Sequence, residues 1–174
     1  MKTTRSIVLT GLMIAIGLVL PPVIRLIPGA GVWFSPMHIP VLLAGIAIGP
    51  VEGVVTGIIC PLLNNVLFGM PAGSALIGMC VELPVYGLVS GLLMKLFRNR
   101  LSDGKRVYLS LIIAMILGRI AGGITQGIVL GAGNYTLAMW ATAYFVKTLP
   151  GIIIHLIVIP AVYFALKKAK LTTN

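Results

Sequence analysis

The side chains of this chain that are able to do chemistry stand far apart, each inside a stretch that is otherwise apolar. His38, Asn64, Asn65, Glu82, Arg119, Gln126, Lys147 and His155 are embedded among Ile, Leu, Val, Gly and Ala. A single carboxylate with amide, imidazole and cationic groups around it suits hydrogen-bonded recognition of a small polar ligand. Catalysis is harder to assemble. There is no Gly-rich loop ending in Gly-Lys-Ser/Thr to cradle a nucleotide, and no His-Glu-x-x-His helix for a metal. Cys60 and Cys80 lack metal-ligand spacing and read as reduced, small packing residues. Neither cofactor nor metal is therefore expected. Ser35, His38 and Glu82 keep one enzymatic alternative open, an intramembrane enzyme, although a Ser35–His38 pair has no obvious acidic partner nearby.

The elements that must position these groups are membrane helices. Of the 174 residues, 59% are hydrophobic and only 9% charged, whereas a soluble domain needs roughly 25% charged residues to cover its surface. Six apolar segments are legible: Ser6 to Ile24, Met37 to Ile48, Val51 to Phe68, Gly73 to Phe97, Val107 to Gly131 and Leu137 to Leu166. In hydrocarbon each backbone polar group must be satisfied within its own segment, so the spans are helices; the alternating ten-residue strands of a barrel are absent. The N-terminal run resembles a signal peptide, but it continues to Ile24 into Pro21, Pro22 and Arg25 without a small-residue cleavage site, and reads as a retained helix. The second segment is too short for an ordinary span.

Thirteen basic residues against three acidic ones give a formal charge of +10. In a soluble protein this would suggest nucleic acid, yet its placement is topological. With the N-terminus inside, Lys2, Arg5, Lys95, Arg98, Arg100, Lys105, Arg106, Lys167, Lys168 and Lys170 face the cytoplasm, and Arg25 alone faces out. The expected architecture is thus an all-α integral membrane protein, one domain comprising a six-helix bundle with both termini cytoplasmic, and no nucleic-acid partner.

This topology places His38, Asn64, Asn65, Glu82, Arg119, Gln126 and Lys147 at mid-depth or in the outer half of the bilayer, with Trp33 in the loop above. Such groups cost about 2.5 kcal/mol or more each on insertion scales, so each asks for a reason. One reason is an outward-facing pocket lidded by the first loop. Another is that Glu82 merely pairs with Arg119 or Lys147; Asn64 and Asn65 would then cap a helix end, Trp33 would be an interfacial anchor, and His155 a satisfied interior residue. Small residues also recur four apart, at Gly11/Ala15, Gly53/Gly57, Gly87/Gly91, Gly123/Gly127 and Gly127/Gly131. These spacings fit close helix packing or a docking face.

The run Phe34-Ser-Pro-Met-His-Ile-Pro-Val-Leu-Leu-Ala-Gly45, followed by Gly49-Pro50, Gly53, Gly57, Pro61, Gly69-Met-Pro71, Glu82-Leu83 and Tyr86-Gly-Leu-Val-Ser-Gly91, resembles the substrate-binding S components of energy-coupling factor (ECF) vitamin transporters. Leu117-Gly-Arg119 and Leu149-Pro-Gly-Ile152 continue the likeness over essentially the whole chain. The resemblance implies a non-catalytic vitamin-binding subunit of a prokaryotic plasma-membrane importer. Its partners would be a membrane-embedded coupling protein and two cytoplasmic ATPases. It implies docking through Gly11 and Ala15, where the family has Ala-x-x-x-Ala, and a ligand held between the outer helices and the first loop; the candidate residues there are Trp33, His38, Asn64, Asn65, Glu82, Tyr86, Arg119, Gln126 and Lys147. The Ser-Pro-Met-His-Ile-Pro pattern looks most like proteins assigned to hydroxymethylpyrimidine or pyridoxine. Pantothenate, an anion that an unpaired Lys147 or Arg119 would favour, is the alternative, and a purely structural scaffold is a third reading.

Overall fold

The computed structural model describes residues 2–28, 33–131 and 135–172. Among them every regular element is helical: α1 (Lys2–Ile24), α2 (His38–Ile48), α3 (Pro50–Phe68), α4 (Ser74–Leu96), α5 (Asp103–Leu130), α6 (Leu137–Val146) and α7 (Leu149–Lys168). Five of these, α1, α3, α4, α5 and α7, are long and apolar enough to cross a membrane. Their outer surfaces are bare hydrocarbon, with Val66 and Ile128 77% exposed and Ile157 63% exposed. Such a surface is stable only against lipid.

Two segments depart from the sequence expectation. The expected sixth helix, Leu137 to Leu166, is two helices. Pro150 cannot donate a backbone hydrogen bond and its ring clashes with the preceding turn. The chain therefore breaks at Lys147–Thr148 and starts α7 afresh, with Pro150 in the first turn where proline is tolerated. The short second segment is the core of the molecule. α2 has six α-helical residues, His38–Leu43, followed by a π-helical turn, Ala44–Ile48. At about 1.5 Å per residue it is only about 17 Å long. Residues 40–50 are all buried, because α1, α3, α4 and α7 pack around α2.

Close contacts set the helix directions. Ser6 donates to Glu52 and Asn64 donates to the Gly17 carbonyl, so α1 and α3 run parallel, and the chain must return between them through α2. Gly53 meets Gly87 while Pro50 meets Gly91, so α3 and α4 are antiparallel. Tyr86 lies on Gly118 and Gly78 on Gln126, which makes α4 and α5 antiparallel as well. Asp103 with Lys167, and Arg106 with the Tyr163 hydroxyl at 3.0 Å, do the same for α5 and α7. One end of the bundle thus gathers the start of α1, the basic stretch 95–106 and the end of α7.

The helices are apolar on every side, so residue size rather than polarity distinguishes their faces. Between lipid and a neighbouring helix there is little hydrophobic preference, and association relies on close van der Waals contact. A Cβ at Gly87 would stand 2.2 Å from the Gly53 carbonyl carbon, and one at Gly57 2.6 Å from the Pro84 nitrogen. Gly45 of α2 is equally confined, 2.2 Å from the Ser90 hydroxyl. Gly11 differs: it is exposed and a Cβ there would touch nothing within 4 Å. We predict that Gly87→Ala destabilises the fold by about 1–3 kcal/mol through overpacking. Gly11→Ala should be nearly neutral. Unfolding of the two variants in mild detergent compares them directly.

Candidate functional site

At the end of the bundle opposite the basic stretch lies a cavity of about 420 Å³. Pro21 and Arg25 from the end of α1, Ser35 to His38 at the entry to α2, and Met70–Pro71 from the turn between α3 and α4 form its mouth. Met79, Glu82, Arg119, Tyr144 and Thr148 line it further along. The volume lies within the roughly 300–1,000 Å³ of small-molecule sites. Ser35, at φ 44°, holds left-handed backbone just before Pro36. For a residue with a side chain this conformation is uncommon and clusters at ligand sites.

Glu82 anchors the inner wall. It is 5% exposed, and one of its oxygens, Oε1, accepts a 2.6 Å hydrogen bond from the Tyr86 hydroxyl, one helical turn along α4. His38 Nε2 lies 3.4 Å from the same oxygen. The His38 ring packs at 5.1 Å on Tyr86 and stacks nearly parallel on His155 of α7, 5.8 Å away. Glycines on α5 make room for this cluster. A Cβ at Gly118 would be 2.4 Å from the Tyr86 ring, and one at Gly122 would be 3.1 Å from Glu82 Oε2 and 3.0 Å from the Tyr144 hydroxyl. With Oε1 occupied, Oε2 is the atom left to accept from a ligand.

Arg119 also lines the cavity, 3% exposed. Its Nη1 donates to the Thr148 hydroxyl at 2.8 Å, and its guanidinium lies 5.4 Å from the Phe145 ring centre. No ion pair within 4.0 Å joins it to Glu82. Arg119 Nε and His38 Nδ1 are buried without a hydrogen-bond partner among the described residues. Buried atoms without a partner also occur away from the cavity, at Asn64, Arg106 and Ser110; His38 and Arg119 differ in lining the cavity, where a polar guest can meet them. The cavity therefore offers a carboxylate acceptor and a guanidinium donor together with the apolar surfaces of Met79, Pro21 and Pro36. Among the described residues, no three His, Cys, Asp or Glu side chains are placed to hold a metal ion.

Comparison with known families supplies the deciding observation. Residues 5–163 match the family model described as "ECF transporter, substrate-specific component". The chain belongs to this family. It is a membrane-embedded substrate-binding subunit of the vitamin-transporter type, with transmembrane helices and a transport role. Searches among curated proteins and among solved structures find no match.

In this S component, three of the residues singled out from sequence, His38, Glu82 and Arg119, line the cavity together, and Tyr86 supports Glu82 from behind. The others lie elsewhere. Asn64 is fully buried between α1 and α3, where Nδ2 donates to the carbonyls of Gly17 and Cys60, each at 2.9 Å. Asn65 donates to the Pro71 carbonyl at 2.6 Å and holds the turn carrying Met70 against the cavity. Gln126 donates to the Ser74 carbonyl at 3.0 Å and ties down the start of α4. Lys147 is exposed at the break between α6 and α7, and Trp33 is half exposed, outside the cavity lining. The alternative in which Glu82 pairs with Arg119 or Lys147 is not what the structure shows: neither lies within 4.0 Å of it, and Tyr86 and His38 meet its carboxylate instead. Residues 29–32 of the first loop, the expected lid, fall outside the described residues.

Tyr144 and Thr148 were missed from sequence because they looked like ordinary members of one long apolar helix; the Thr148-Leu149-Pro150 break was the available signal. Asn64→Ala removes the clasp between α1 and α3 away from the cavity. It should lower stability by about 1–3 kcal/mol while leaving ligand affinity within about twofold, as thermal unfolding and calorimetric titration would read.

Proposed function

We propose that this S component binds a flat, nitrogen-containing B-vitamin or precursor, hydroxymethylpyrimidine or pyridoxine, for an ATP-driven importer. The observation that carries this is Glu82: a buried carboxylate lining the cavity, with no Lys or Arg within 4.0 Å among the described residues and with the contacts from Tyr86 and His38 both on Oε1. A heteroaromatic ring with N–H or hydroxymethyl donors satisfies Glu82 Oε2, while Arg119 donates to a ring nitrogen or hydroxyl. Met79, Tyr144 and Pro36 supply flat apolar contact.

Pantothenate remains a second reading on a specific observation. Arg119 has no carboxylate partner within 4.0 Å among the described residues, and a guanidinium is the natural receptor for a ligand carboxylate. The two readings differ in sign at position 82. Glu82→Gln should weaken hydroxymethylpyrimidine or pyridoxine by at least tenfold, about 1.4 kcal/mol. For pantothenate it would remove a like charge and leave affinity equal or higher, whereas Arg119→Gln would abolish binding. Titration of the purified chain with the three vitamins separates them, and no binding by any B-vitamin would sink the proposal. Mass spectrometry of the recovered ligand tests the enzymatic alternative through Ser35, His38 and Glu82: an intact ligand supports transport.

In the same reading the chain crosses a prokaryotic plasma membrane six times as a single domain, with α2 as the second crossing and the basic end in the cytoplasm. Gly11 and Ala15, both exposed on α1, then face a membrane-embedded coupling protein attached to two ATPases. The other glycines packed within α2, α3 and α4 are consumed internally, so α1 has the small-residue face still open. Gly11→Leu should leave vitamin affinity unchanged and eliminate co-purification with the coupling module; a retained complex would exclude docking through that face.

A further inference from the structure

α6 contributes nothing to the core. None of its residues is buried, and its second half is a π-helical turn, a geometry found disproportionately at functional sites. It nevertheless covers one side of the cavity, presenting Ala143 and Tyr144, with Thr148 just beyond it. Its attachment converges on one residue of α5. The Arg119 carbonyl accepts a 3.1 Å hydrogen bond from Trp140 Nε1 near the start of α6. The Arg119 guanidinium packs on Phe145 and donates to Thr148, and the Thr148 hydroxyl passes the bond on to the Tyr144 carbonyl at 2.6 Å. The indole reaches the α5 backbone because position 123 is glycine: a Cβ there would stand 2.1 Å from Nε1.

We infer that Arg119 is a positioning residue that latches α6 across the side of the cavity, so that ligand retention and α6 closure are a single coupled equilibrium. The same guanidinium lines the cavity and grips the flap. A ligand acceptor that engages its remaining N–H groups fixes the plane of the fork, and a fixed plane holds the Thr148 and Phe145 contacts in place. Coupling is reciprocal: a flap held closed must also hold the ligand longer. The ligand half of this inference rests on reading the cavity as the vitamin site; the latch does not.

Thr148→Val keeps the shape and deletes the hydroxyl, and Thr148→Ser keeps the hydroxyl. In the ligand-free chain in nanodiscs, hydrogen exchange of amides 137–148 should accelerate about fivefold or more in the Val variant, as expected for an element of low local stability. Exchange in α3 and α4 should not change, and the Ser variant should match the unaltered chain. With hydroxymethylpyrimidine or pyridoxine, the Val variant should release ligand about tenfold faster while its association rate changes less than about threefold. Trp140→Phe, which removes only the indole N–H, should loosen the same amides. Unchanged α6 exchange in both the Val and Phe variants, or Val and Ser variants that behave alike, would overturn the latch. If neither vitamin binds, the vitamin proposal fails and the exchange measurement alone decides the latch.

Discussion

Where Gly53 and Gly87 meet, α3 and α4 touch through their backbones, at a separation that leaves no space for a methyl group on either side. The rest of the bundle is arranged around that contact. One face of α4, Leu83 and Gly87, is pressed onto α3, so the adjacent face, Gly78, Glu82 and Tyr86, turns toward α5. Gly91 and Gly45 carry the same closeness to the start of α3 and to α2. Because α2 is short and enclosed, its first residue, His38, is delivered to the level of Glu82 and not to the membrane surface. In hydrocarbon, where burial of one aliphatic side chain against another gains little over burial against lipid, such surface matching is what specifies the fold.

Polar side chains inside the bundle divide into two groups by what satisfies them. Asn64, Asn65 and Gln126 donate to backbone carbonyls of other turns or helices and so serve the scaffold, although Asn64 Oδ1 and Gln126 Oε1 are themselves buried with no partner among the described residues. Glu82, His38 and Arg119 are satisfied only in part. Glu82 keeps one oxygen toward the cavity, and His38 Nδ1 and Arg119 Nε are buried with no hydrogen-bond partner among the described residues. What sets the second group apart is its place on the cavity wall, which agrees with membership of a family whose members are substrate-binding subunits.

The two ends of the molecule have different chemistry. The end with the ligand-facing groups is built from helix starts, breaks and turns: Pro21, Pro36, the Met70–Pro71 bond, which is cis, and the α6–α7 break. The opposite end is held by the Asp103, Arg106, Lys167 and Tyr163 cluster between α5 and α7. α6 is an element with no core of its own that depends on polar and aromatic contacts for its position.

Much of the fold was legible in composition and punctuation. Long apolar runs bounded by Gly, Pro and basic residues dictate membrane helices because unsatisfied backbone cannot exist in lipid, and α1, α3, α4 and α5 begin and end close to where those runs do. Glu82, His38 and Arg119 were also legible, since an ionisable group in an apolar run is costly enough to be conspicuous. What sequence could not determine is which way each side chain points. In helices apolar on every side no hydrophobic stripe marks the inner face, so Asn64 and Lys147 looked equivalent to Glu82, and Gly11 equivalent to Gly53. Only the tertiary structure assigns Asn64 to the α1–α3 seam, Lys147 to the exterior, Gly53 to a helix contact and Gly11 to open surface. It also turns the too-short second segment into the buried centre of the bundle, because a helix shorter than the bilayer is stable when protein, not lipid, surrounds it.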